Sequence, residues 1–364
     1  MIWQRVIPNL LTWYRSHARS MPWRETRNPY HIWISEIILQ QTRVEQGREF
    51  YLRFIDEFPK ILDLATASEE AVLKAWQGLG YYSRARNLHK AAQQIVQEMG
   101  GEFPHDYDQI RSLPGIGDYT AAAIASFAYS QPKAALDGNV KRWSSRFFGI
   151  QTELSKPAFS KEVLPLLQVG IENSGDPYNF NQASIELGSQ ICTPQSPRCE
   201  SCPLQTDCYA YTHGRVSEFP KVTPKKAPQI WNLHFLALRW KNEWCIMQRP
   251  AKGIWASLYE FPSLSCDTPE QSLPDAWAEA LGGSMKIVEH RQLTHLLSHK
   301  KIHAQCWYAE WIDPVISPLD LQKEGRFLQN MSDSNNSEVW ISLSELRRVP
   351  VHRLMDSFID ALPA

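Results

Sequence analysis

The sequence has no excess of charge of either sign. Its 364 residues carry 38 Lys and Arg against 39 Asp and Glu, so the net charge is −1, and neither half is strongly basic. Composition therefore gives no indication of a nucleic-acid partner, because a DNA-binding surface usually shows as an excess of basic residues. A case for DNA binding has to rest on local motifs.

Long apolar runs, internal repeats and low-complexity tracts are missing as well. No run of about 18 or more apolar residues occurs, and the N-terminal stretch lacks the basic start, apolar block and cleavage site of a secretory signal. These absences predict a protein of the bacterial cytoplasm with no membrane partner, and they exclude repeat arrays. The length and the 43% hydrophobic content suit two folded domains.

A second close pair of cysteines is also lacking. Four of the seven cysteines lie in ICTPQSPRCESCPLQTDCYAY with the spacing C-x6-C-x2-C-x5-C. Without a secretory signal we do not expect disulfides, and a structural zinc site usually has two C-x2-C pairs. The spacing therefore favours an iron–sulfur cluster, with zinc or chance clustering as the alternatives. The four candidate ligands are Cys192, Cys199, Cys202 and Cys208.

Helical periodicity dominates residues 1–220. Asn28 and Pro29 predict a helix start, and apolar residues recur at helical spacing from Tyr30 to about Phe58, with Gly47 as a candidate break. We therefore expect an all-helical N-terminal domain. Its further helices are predicted at about 69–76, 83–98, 118–129, 139–147, 157–171 and 179–190.

The pattern changes at FPKVTPKKAPQ, residues 219–229, where three prolines and three lysines interrupt the helices. We place a linker at residues 221–229 and a second domain at 230–364. NLHFLALRW, the turn KNE and WCIMQRP predict a hairpin, and IHAQCWYAEW predicts another strand. VWISLSELRRV predicts a strand followed by a capped helix, so the second domain is expected to mix helices and strands.

One acid stands in an otherwise apolar helical segment. Glu36, in SEIILQQTRV, is flanked by Ile34, Ile37 and Ile38. Desolvation by such neighbours disfavours the charged form of a carboxyl group and raises its pKa. The alternative is an exposed glutamate on the polar side of the helix.

Two glycines precede an alanine-rich helix in LPGIGDYTAAAIASFAY. Gly115 and Gly117 are expected to permit positive φ and close backbone approach, and the helix that begins at about Asp118 can direct backbone N–H groups at a phosphate. An ordinary connection between two helices is the alternative. A second acid follows in AALDGNVKRW, where Asp137 either takes part in chemistry or caps the next helix.

Five motifs occur in the order found in one known superfamily: SEIILQQT, GLGYYSRARNLHKAA, LPGIGDYTA, LDGNVKR and the four-cysteine spacing. In these the chain resembles the helix-hairpin-helix DNA glycosylases with an iron–sulfur loop, and among them the MutY-type adenine glycosylases. The resemblance covers nearly the whole chain. It implies a helical catalytic domain at 1–220, with a hairpin at 113–120 and an iron–sulfur loop at 192–208, followed by a Nudix-like α/β domain at 230–364.

The resemblance also implies an activity. Members of this family work in base excision repair on double-stranded DNA, as monomers, and in a bacterium this takes place at the nucleoid. They flip out an adenine that is mispaired with 8-oxoguanine or guanine and hydrolyse its N-glycosidic bond, because a stacked base cannot be reached. A 4Fe-4S cluster bound by the four cysteines is implied as the cofactor.

Catalytic roles carry over by motif position. Glu36 matches the general acid that protonates the purine at N7, and Asp137 matches the acid that stabilises positive charge on the sugar, electrostatically or through a brief covalent adduct. Asn139 resembles a residue that orients Asp137. Tyr119 stands where endonuclease III has a lysine and resembles a residue that hydrogen-bonds near the reaction centre. A phenol cannot form a Schiff base, so little or no lyase activity is expected.

Binding roles carry over in the same way, each against the alternative of a core or surface residue. The hairpin glycines Gly115 and Gly117 match contacts to the DNA backbone. Trp23, Arg24 and Gln182 match residues that line the adenine pocket. Gln41, Tyr81 and Leu79 match residues that insert around the mispair. Ser298 and His299 match the segment that detects 8-oxoguanine. Arg84, Arg86 and Lys90 form a basic helix face that is expected to contact phosphate or solvent.

The second domain departs from an active Nudix hydrolase. Such an enzyme needs a run of glutamates to bind magnesium, and SLPDAWAEALGG offers only Asp275 and Glu279. Independent pyrophosphate hydrolysis is therefore not expected. Leu297 also replaces a phenylalanine that is common before the Ser-His pair.

Three other functions compete with adenine excision. An endonuclease III-like pyrimidine glycosylase with lyase activity is disfavoured by Tyr119 and by the additional domain. A catalytically silent binder of damaged DNA would be expected to lack one of the two acids. An electron carrier built on the cluster would leave the hairpin and the wedge residues without a purpose.

Overall fold

A computed structural model describes residues 2–224, 227–266, 277, 284–313 and 338–362. The chain divides into two compact units, which are not consecutive in sequence. The first, the helical unit, contains Met1–Thr66 and Asn87–Lys225. The second, the sheet unit, contains Ala67–Arg86 and Lys226–Ala364.

The helical unit agrees with the predicted all-helical domain. Short 3-10 turns occur at Pro22–Arg24 and within the cysteine loop. None of the described helices is long and apolar enough to span a membrane. The helices up to residue 148 are α1 (Trp3–His17), α2 (Pro29–Ile38), α3 (Val44–Glu57), α4 (Ile61–Thr66), α5 (Glu69–Ala75), α6 (Ser83–Glu98), α7 (Tyr107–Ser112), α8 (Asp118–Tyr129) and α9 (Gly138–Phe148). They are followed by α10 (Pro157–Ser174), α11 (Pro177–Gln190) and α12 (Tyr209–Thr212). Of these, α5 and the first residues of α6 belong to the sheet unit.

The predicted start of α2 is confirmed, but the helix end that the sequence placed at Gly47 is wrong. The Asn28 side chain accepts a hydrogen bond from the Tyr30 N–H at 3.0 Å, as an N-cap does. The helix ends at Ile38, well before Gly47, which lies inside α3. A Cβ added at Gly47 would lie 2.8 Å from a methyl carbon of Leu39. Gly47 therefore lets α3 pack closely on the Leu39 side chain and does not end a helix.

The core of the helical unit forms where α1, α9, α10 and α11 pack together. Helix α1 buries apolar residues at the three- and four-residue spacing of one helix face. Large side chains from the other helices, including Trp143, Phe159 and Phe180, complete the cluster. These buried rings hold α9 and α11, on which several predicted site residues lie, against α1 and α10. The α1 residues are Trp3, Val6, Ile7, Leu10, Leu11, Trp13 and Tyr14.

A mixed sheet organises the second unit. In the described residues its path is β3-β2-β1-β6-β5, with β4 paired to β1 and β7 paired to β2. Strands β1 and β6 are parallel, and β5 and β6 form a long antiparallel hairpin. The strands are β1 (Gln229–Trp240), β2 (Glu243–Gln248), β3 (Tyr259–Glu260), β4 (Ser263–Cys266), β5 (Met285–Leu296), β6 (Lys300–Trp311) and β7 (Glu338–Ser342).

The predicted elements of this unit are confirmed. Strand β1 is central and buries both faces, since Leu233 and Phe235 join one apolar cluster and Leu236 and Leu238 join another. Strand β7 leads into helix α13 (Leu343–Leu346), which begins with a capping box between Ser342 and Glu345. Helix α14 (Arg353–Ile359) packs its apolar residues into the first cluster.

Residues 67–86 group with the sheet unit, whereas the sequence predicted a continuous N-terminal domain. Polar side chains explain this grouping. Lys74 Nζ donates to the Arg347 carbonyl at 2.7 Å, Gln77 Nε2 donates to Asp356 Oδ1 at 2.8 Å, and the Tyr82 hydroxyl donates to the Val351 carbonyl at 3.0 Å. Arg86 Nη1 donates to the Ala256 carbonyl at 2.8 Å. A prediction from local sequence could not include these long-range bonds.

Candidate active site

Glu36 lies on α2 and is buried, with 8% of its surface exposed, as are the isoleucines next to it in the sequence. The hydroxyl of Tyr119, in the first turn of α8, donates a hydrogen bond to Glu36 Oε2 at 2.8 Å. Burial raises the pKa of Glu36 to about 7. The Tyr119 hydrogen bond opposes this shift, the negative charge of Asp137 adds to it, and the charge of Arg24 opposes it. Near neutral pH Glu36 can therefore carry and release a proton.

Asp137 is partly buried and caps α9. Its Oδ1 accepts a hydrogen bond from the Val140 N–H at 2.7 Å, so Asp137 does cap this helix, and the cap leaves its Oδ2 for other partners. Its Oδ2 accepts from Asn139 Nδ2, also at 2.7 Å. Burial raises the pKa of Asp137, while these hydrogen bonds and the charge of Arg142 oppose the shift. Capping fixes the direction of the carboxylate and leaves it beside Glu36, with which it interacts electrostatically.

Arg142 joins this acidic turn to α11 and to the cysteine loop. Its Nη2 donates to Asn139 Oδ1 at 2.9 Å and to the Gly188 carbonyl at 2.6 Å, and its Nε donates to the Cys192 carbonyl at 2.7 Å. Helix α11 can approach this turn closely because residue 188 is glycine. A Cβ added there would lie 2.6 Å from the Asn139 carbonyl oxygen. The position of Asp137 therefore depends on α11 through both Arg142 and Gly188.

The three residues matched to an adenine pocket lie in the same unit. Trp23 is buried and packs edge-on against Tyr51, with ring centroids 5.4 Å apart. Arg24 Nε donates to Gln182 Oε1 at 2.9 Å, which orients the Gln182 amide so that its NH₂ group faces away from Arg24. Arg24 Nη2 also donates to Glu186 Oε2 at 2.7 Å. The structure thus brings Arg24 and Gln182 into direct contact.

Glu186 was not singled out from the sequence. Its side chain is fully buried and accepts hydrogen bonds from Arg19 at 2.6 Å and from Arg24. Burial by itself would raise the pKa of Glu186, but the hydrogen bonds and charges of the two arginines outweigh it and lower that pKa. The i, i+4 spacing of Gln182 and Glu186 on α11 was the available signal, because residues at that spacing share a helix face.

The hairpin glycines differ from each other. Gly115 has φ +78°, and an added Cβ would lie 2.7 Å from the Asn87 Cβ, so glycine is required there. Gly117 has φ −97°, and an added Cβ would meet nothing within 4 Å. The prediction of positive φ at Gly117 is wrong, because it is the extended N-cap of α8. Helix α8 begins at Asp118 as predicted, and its first N–H groups have no intrahelical partner.

Gln41 lies in the exposed turn between α2 and α3 with φ +61°. A non-glycine residue adopts this conformation only when its surroundings hold it there. In the sheet unit, Tyr81 has φ +49° and is 46% exposed, whereas Leu79 is buried. Exposed side chains on a backbone with unfavourable φ are compatible with insertion into a duplex. The sequence predicted this role for Gln41 and Tyr81.

Arg84 and Arg86 do not form the basic face that was predicted. Arg84 Nη2 donates to the Gly80 carbonyl at 3.2 Å, and its guanidinium lies 5.3 Å from the centroid of the Trp76 ring. Burial lowers the pKa of Arg84 to about 10. Arg86 binds the Ala256 carbonyl, as noted above. Arg84 therefore braces the segment 78–81, and Arg86 joins α6 to the loop that contains Ala256.

Ser298 and His299 form the exposed turn between β5 and β6, with Ser298 Oγ 3.3 Å from His299 Nδ1. They line a cavity of about 330 Å³ that lies entirely within the sheet unit. Leu79, Tyr81 and Trp255 line the same cavity. The structure thus brings together residues that the sequence assigned separately to the mispair wedge and to the detection of 8-oxoguanine. Asp275 and Glu279 lie outside the described residues.

The four cysteines lie between α11 and α12 and line one small cavity of about 30 Å³. No three His, Cys, Asp or Glu side chains in the described part of the chain are grouped to hold a metal ion. Arg146 is buried beside the loop, and its Nη1 lies 3.2 Å from Cys192 Sγ. Four sulfur donors around one cavity, with a buried cation next to them, fit a cysteine-ligated iron–sulfur cluster, which is anionic.

Three protein families match parts of this chain. Residues 34–167, which include both acids and the hairpin, match the HhH-GPD superfamily of base excision DNA repair proteins. Residues 192–208 match the iron–sulfur binding domain of endonuclease III, which indicates that this chain has an iron–sulfur cluster. Residues 234–361 match the NUDIX domain. The order of the three matches is the one that the motifs predicted.

Curated relatives resemble the chain over most of its length. It is 33% identical to the adenine DNA glycosylase of Buchnera aphidicola subsp. Baizongia pistaciae, over 92% of this chain and 90% of the relative. It is 32% identical to the mouse adenine DNA glycosylase and 33% identical to the human one. Each of these matches covers 82% of this chain, with 69% of the mouse protein and 66% of the human protein.

Solved structures resemble the helical part. A thermostable thymine-DNA glycosylase superposes with a TM-score of 0.54 at 28% identity, covering 58% of this chain and 97% of that one. Endonuclease III in a non-covalent DNA complex superposes with a TM-score of 0.50 at 25% identity, with 58% and 98% coverage. These likenesses agree with a glycosylase fold in the helical unit. Together with the near full-length match to curated relatives, they establish that the chain belongs to the adenine DNA glycosylases of the helix-hairpin-helix superfamily.

Proposed function

We propose that the protein hydrolyses the N-glycosidic bond of adenine mispaired with 8-oxoguanine or guanine, and that it does so as a monomer without cutting the strand. The single observation that carries the proposal is the buried acid Glu36, whose pKa is raised to about 7. Adenine is a poor leaving group until it is protonated, so an acid that holds its proton near neutral pH supplies what the reaction needs.

Adenine must leave the base stack before Glu36 can reach it, and unpairing is easiest at a mispair. In this proposal the flipped base is bound beside Trp23 and the Gln182 amide. Arg24 supports this role because its hydrogen bond at 2.9 Å leaves the Gln182 NH₂ group for a purine acceptor. Such a pocket combines an apolar wall with a fixed hydrogen-bond donor.

The reaction then proceeds in two parts. Glu36 delivers its proton to adenine N7, and the bond between adenine and the sugar breaks with its electron pair going to the base. Asp137 stabilises the positive charge that develops on the sugar, either as an ion pair or through a short-lived covalent adduct that water displaces. Asn139 and the Val140 N–H support this role, since both hold the carboxylate in one direction.

Strand cleavage is not part of the proposed reaction. A lyase of this superfamily needs an amine that attacks the sugar and forms a Schiff base. Tyr119 takes that position in the sequence, and its hydroxyl is engaged with Glu36. Tyr119 therefore tunes the acid in this proposal and does not act as a nucleophile.

Double-stranded DNA is bound, we infer, through both units. Gly115, Gly117 and the first N–H groups of α8 contact phosphate, which helix N-termini favour. Gln41, Tyr81 and Leu79 insert around the mispair, where their side chains replace lost stacking. The strained φ values of Gln41 and Tyr81 support this assignment.

The oxidised partner base is recognised in the sheet unit. The cavity of about 330 Å³ is large enough for a purine base and has both apolar and polar walls. Ser298 offers a hydroxyl at its rim, and His299 lies beside it. 8-Oxoguanine differs from guanine in having an N–H at N7 and a carbonyl at C8, so a single polar contact can separate the two.

The cluster is of the 4Fe-4S type in this proposal. A single zinc ion would need its four ligands within about 2.3 Å of one point, whereas each thiolate of a 4Fe-4S cluster binds a different iron. The four cysteines that line one small cavity, in a loop that matches an iron–sulfur binding domain, support the cluster. When bound, it holds the loop 192–208 in one conformation next to Arg142 and Arg146.

The proposal is tested with labelled duplexes that carry adenine opposite 8-oxoguanine, adenine opposite guanine, or an oxidised pyrimidine opposite a purine. Cleavage at adenine only after an alkali step is the expected result, with faster excision opposite 8-oxoguanine. Direct nicking of the adenine strand would contradict the assignment of Tyr119. Nicking at the oxidised pyrimidine would favour an endonuclease III-like activity instead.

A further inference from the structure

The wall of the sheet-unit cavity is a loop in an unfavourable conformation. Residues 253, 255 and 257 all have positive φ, at +101°, +59° and +61°, and only the first is glycine. Trp255 is the largest of the three and lines the cavity. A tryptophan keeps a left-handed backbone conformation only when surrounding contacts determine it. Contacts within the sheet unit hold Trp255 in this conformation.

The Trp255 ring stacks on a buried histidine, His352. The His352 ring is parallel to the Trp255 ring within 12°, and their centroids are 3.7 Å apart. His352 is fully buried, so it supports Trp255 from the interior of the unit. Its Nδ1 accepts the Met355 N–H at 3.1 Å and thereby caps α14. Because Nδ1 accepts, the proton of the neutral ring is on Nε2.

A buried carboxylate in turn holds this histidine. His352 Nε2 donates to Glu260 Oε2 at 3.1 Å. Glu260 is 2% exposed and accepts two further hydrogen bonds, from Arg249 Nη1 at 2.5 Å and from Ser263 Oγ at 2.7 Å. These three donors converge on one acid, which fixes the plane of the His352 ring.

The same arginine also holds the loop. Arg249 Nε donates to the Ile254 carbonyl at 3.0 Å, next to Trp255 in the chain. The backbone of the loop and the ring beneath Trp255 are thus tied to one ion pair between Arg249 and Glu260. The proposed reaction does not use this network, since its acids Glu36 and Asp137 lie in the helical unit.

We propose that His352 and Glu260 are positioning residues that hold Trp255 at the cavity wall and so set the preference for adenine opposite 8-oxoguanine over adenine opposite guanine. This inference rests on the proposed function. The two purines differ at N7 and C8 only, and hydrogen bonds weaken steeply when distance or angle is wrong. A cavity with a loose wall would admit both purines in several positions and lose the distinction.

The first test is His352→Asn. Asparagine is a favoured N-cap, so it can still accept the Met355 N–H, but it has no ring to stack on Trp255 and cannot reach Glu260 at the same time. Single-turnover excision is measured with adenine opposite 8-oxoguanine and opposite guanine. We expect the ratio of the two rates to fall at least fivefold, with the rate opposite guanine within twofold of the unsubstituted protein.

Ser342→Ala is the matched control. It removes the N-cap of α13 in the same unit, outside the cavity lining, and should leave the ratio unchanged. Trp255→Ala removes the wall itself and keeps the buried network, so it tests the inference even if His352→Asn does not fold. We expect Trp255→Ala to lower the ratio as well.

The outcomes separate the inference from the proposed function. A ratio that is unchanged in a folded His352→Asn protein, or in Trp255→Ala, overturns the inference, and so does an equal loss of both rates. If the unsubstituted protein excises adenine without any preference for 8-oxoguanine, the proposed recognition fails and the inference fails with it. If the unsubstituted protein prefers 8-oxoguanine, an unaffected ratio in either variant overturns the inference and leaves the proposed function intact.

Discussion

The hydroxyl of Tyr119 donates a hydrogen bond to Oε2 of the buried Glu36 at a distance of 2.8 Å. This bond stabilises the charged form of the acid, while burial stabilises the neutral form by a larger amount. The balance leaves the pKa of Glu36 at about 7. The acid is therefore poised to exist in both forms at neutral pH, as a group that donates a proton and later regains it must.

Glu36→Gln should abolish adenine excision. Glutamine keeps the size of the side chain and accepts the Tyr119 hydrogen bond, but it cannot give up a proton. We expect single-turnover rates to fall by at least about a thousandfold, near the upper range for general acid catalysis. Affinity for the mispaired duplex, measured by a gel-shift titration, should stay within a few-fold. Turnover near the original rate would remove Glu36 from its proposed role.

The pH dependence of excision should report the same acid. The rate is expected to fall as the pH rises through about 7, because the protonated form of Glu36 is lost. Tyr119→Phe removes a hydrogen bond that lowers this pKa, so the decline should move to higher pH by about 1 unit, since a hydrogen bond to a charged group contributes roughly 1.5 kcal/mol. A pH–rate profile of the single-turnover rate measures the shift. Movement to lower pH would contradict the geometry.

Glu186→Gln should destabilise the protein and weaken adenine binding. The substitution removes the charge that the buried Arg24 faces, so we expect a loss of about 2 kcal/mol in the free energy of unfolding at pH 7. The half-exposed Arg19 adds less because solvent screens it.

The effect should depend on pH. The folded protein lowers the pKa of Glu186 from its ordinary 4.5, so its contribution is present above pH 4.5 and is lost as the pH falls through the lower, folded value. Urea unfolding of both proteins at several pH values should show their stabilities converging in acid. A constant difference down to pH 3 would exclude this explanation.

Gly188→Ala tests the close approach of α11 to the acidic turn. The added methyl would lie 2.6 Å from the Asn139 carbonyl oxygen, so the start of α9 and with it Asp137 must shift. Overpacking of this kind costs about 1 to 3 kcal/mol of stability. We expect a lower melting temperature and a reduced excision rate. In the control Gly138→Ala the new methyl meets nothing within 4 Å, so its melting temperature should be nearly unchanged.

The hairpin glycines should respond differently to the same change. Gly115→Ala introduces both a strained φ and a contact of 2.7 Å with Asn87, so we expect a loss of more than about 1 kcal/mol in unfolding free energy. Gly117→Ala has an ordinary φ and open space, so its free energy of unfolding should change by less than about 0.5 kcal/mol. Chemical denaturation without DNA isolates this comparison. Equal losses would contradict the described geometry.

Local signals in the sequence were sufficient for several elements. The caps at Asn28 and Asp137, the start of α8 at Asp118 and the capping box at Ser342 all depend on residues a few positions apart, and the structure has each of them. The cysteine spacing likewise indicated the iron–sulfur loop, which the family match supports. The family resemblance predicted that Glu36 and Asp137 act in one reaction. Hydrophobic periodicity alone could not have predicted this.

The remaining features depend on contacts between distant parts of the chain. The ion-pair partners of Glu186 lie 162 and 167 positions away in the sequence. Local sequence around Glu186 therefore could not predict these ion pairs. Arg84 looked like a surface cation, but it binds carbonyls of a loop that only the fold defines. The two hairpin glycines cannot be distinguished from the sequence, because they differ in φ and in the neighbours that an added Cβ would meet, and both depend on the fold.

The grouping of residues 67–86 with the sheet unit has a consequence for how this chain can be divided. A protease that cuts at residues 219–229 would produce two pieces, neither of which is one complete unit. The C-terminal piece would lose the hydrogen bonds from Lys74, Gln77 and Tyr82, and the N-terminal piece would carry a segment without its partners. We therefore expect that the C-terminal half cannot be transferred to another protein by itself. A fusion protein that contains it should also contain residues 67–86.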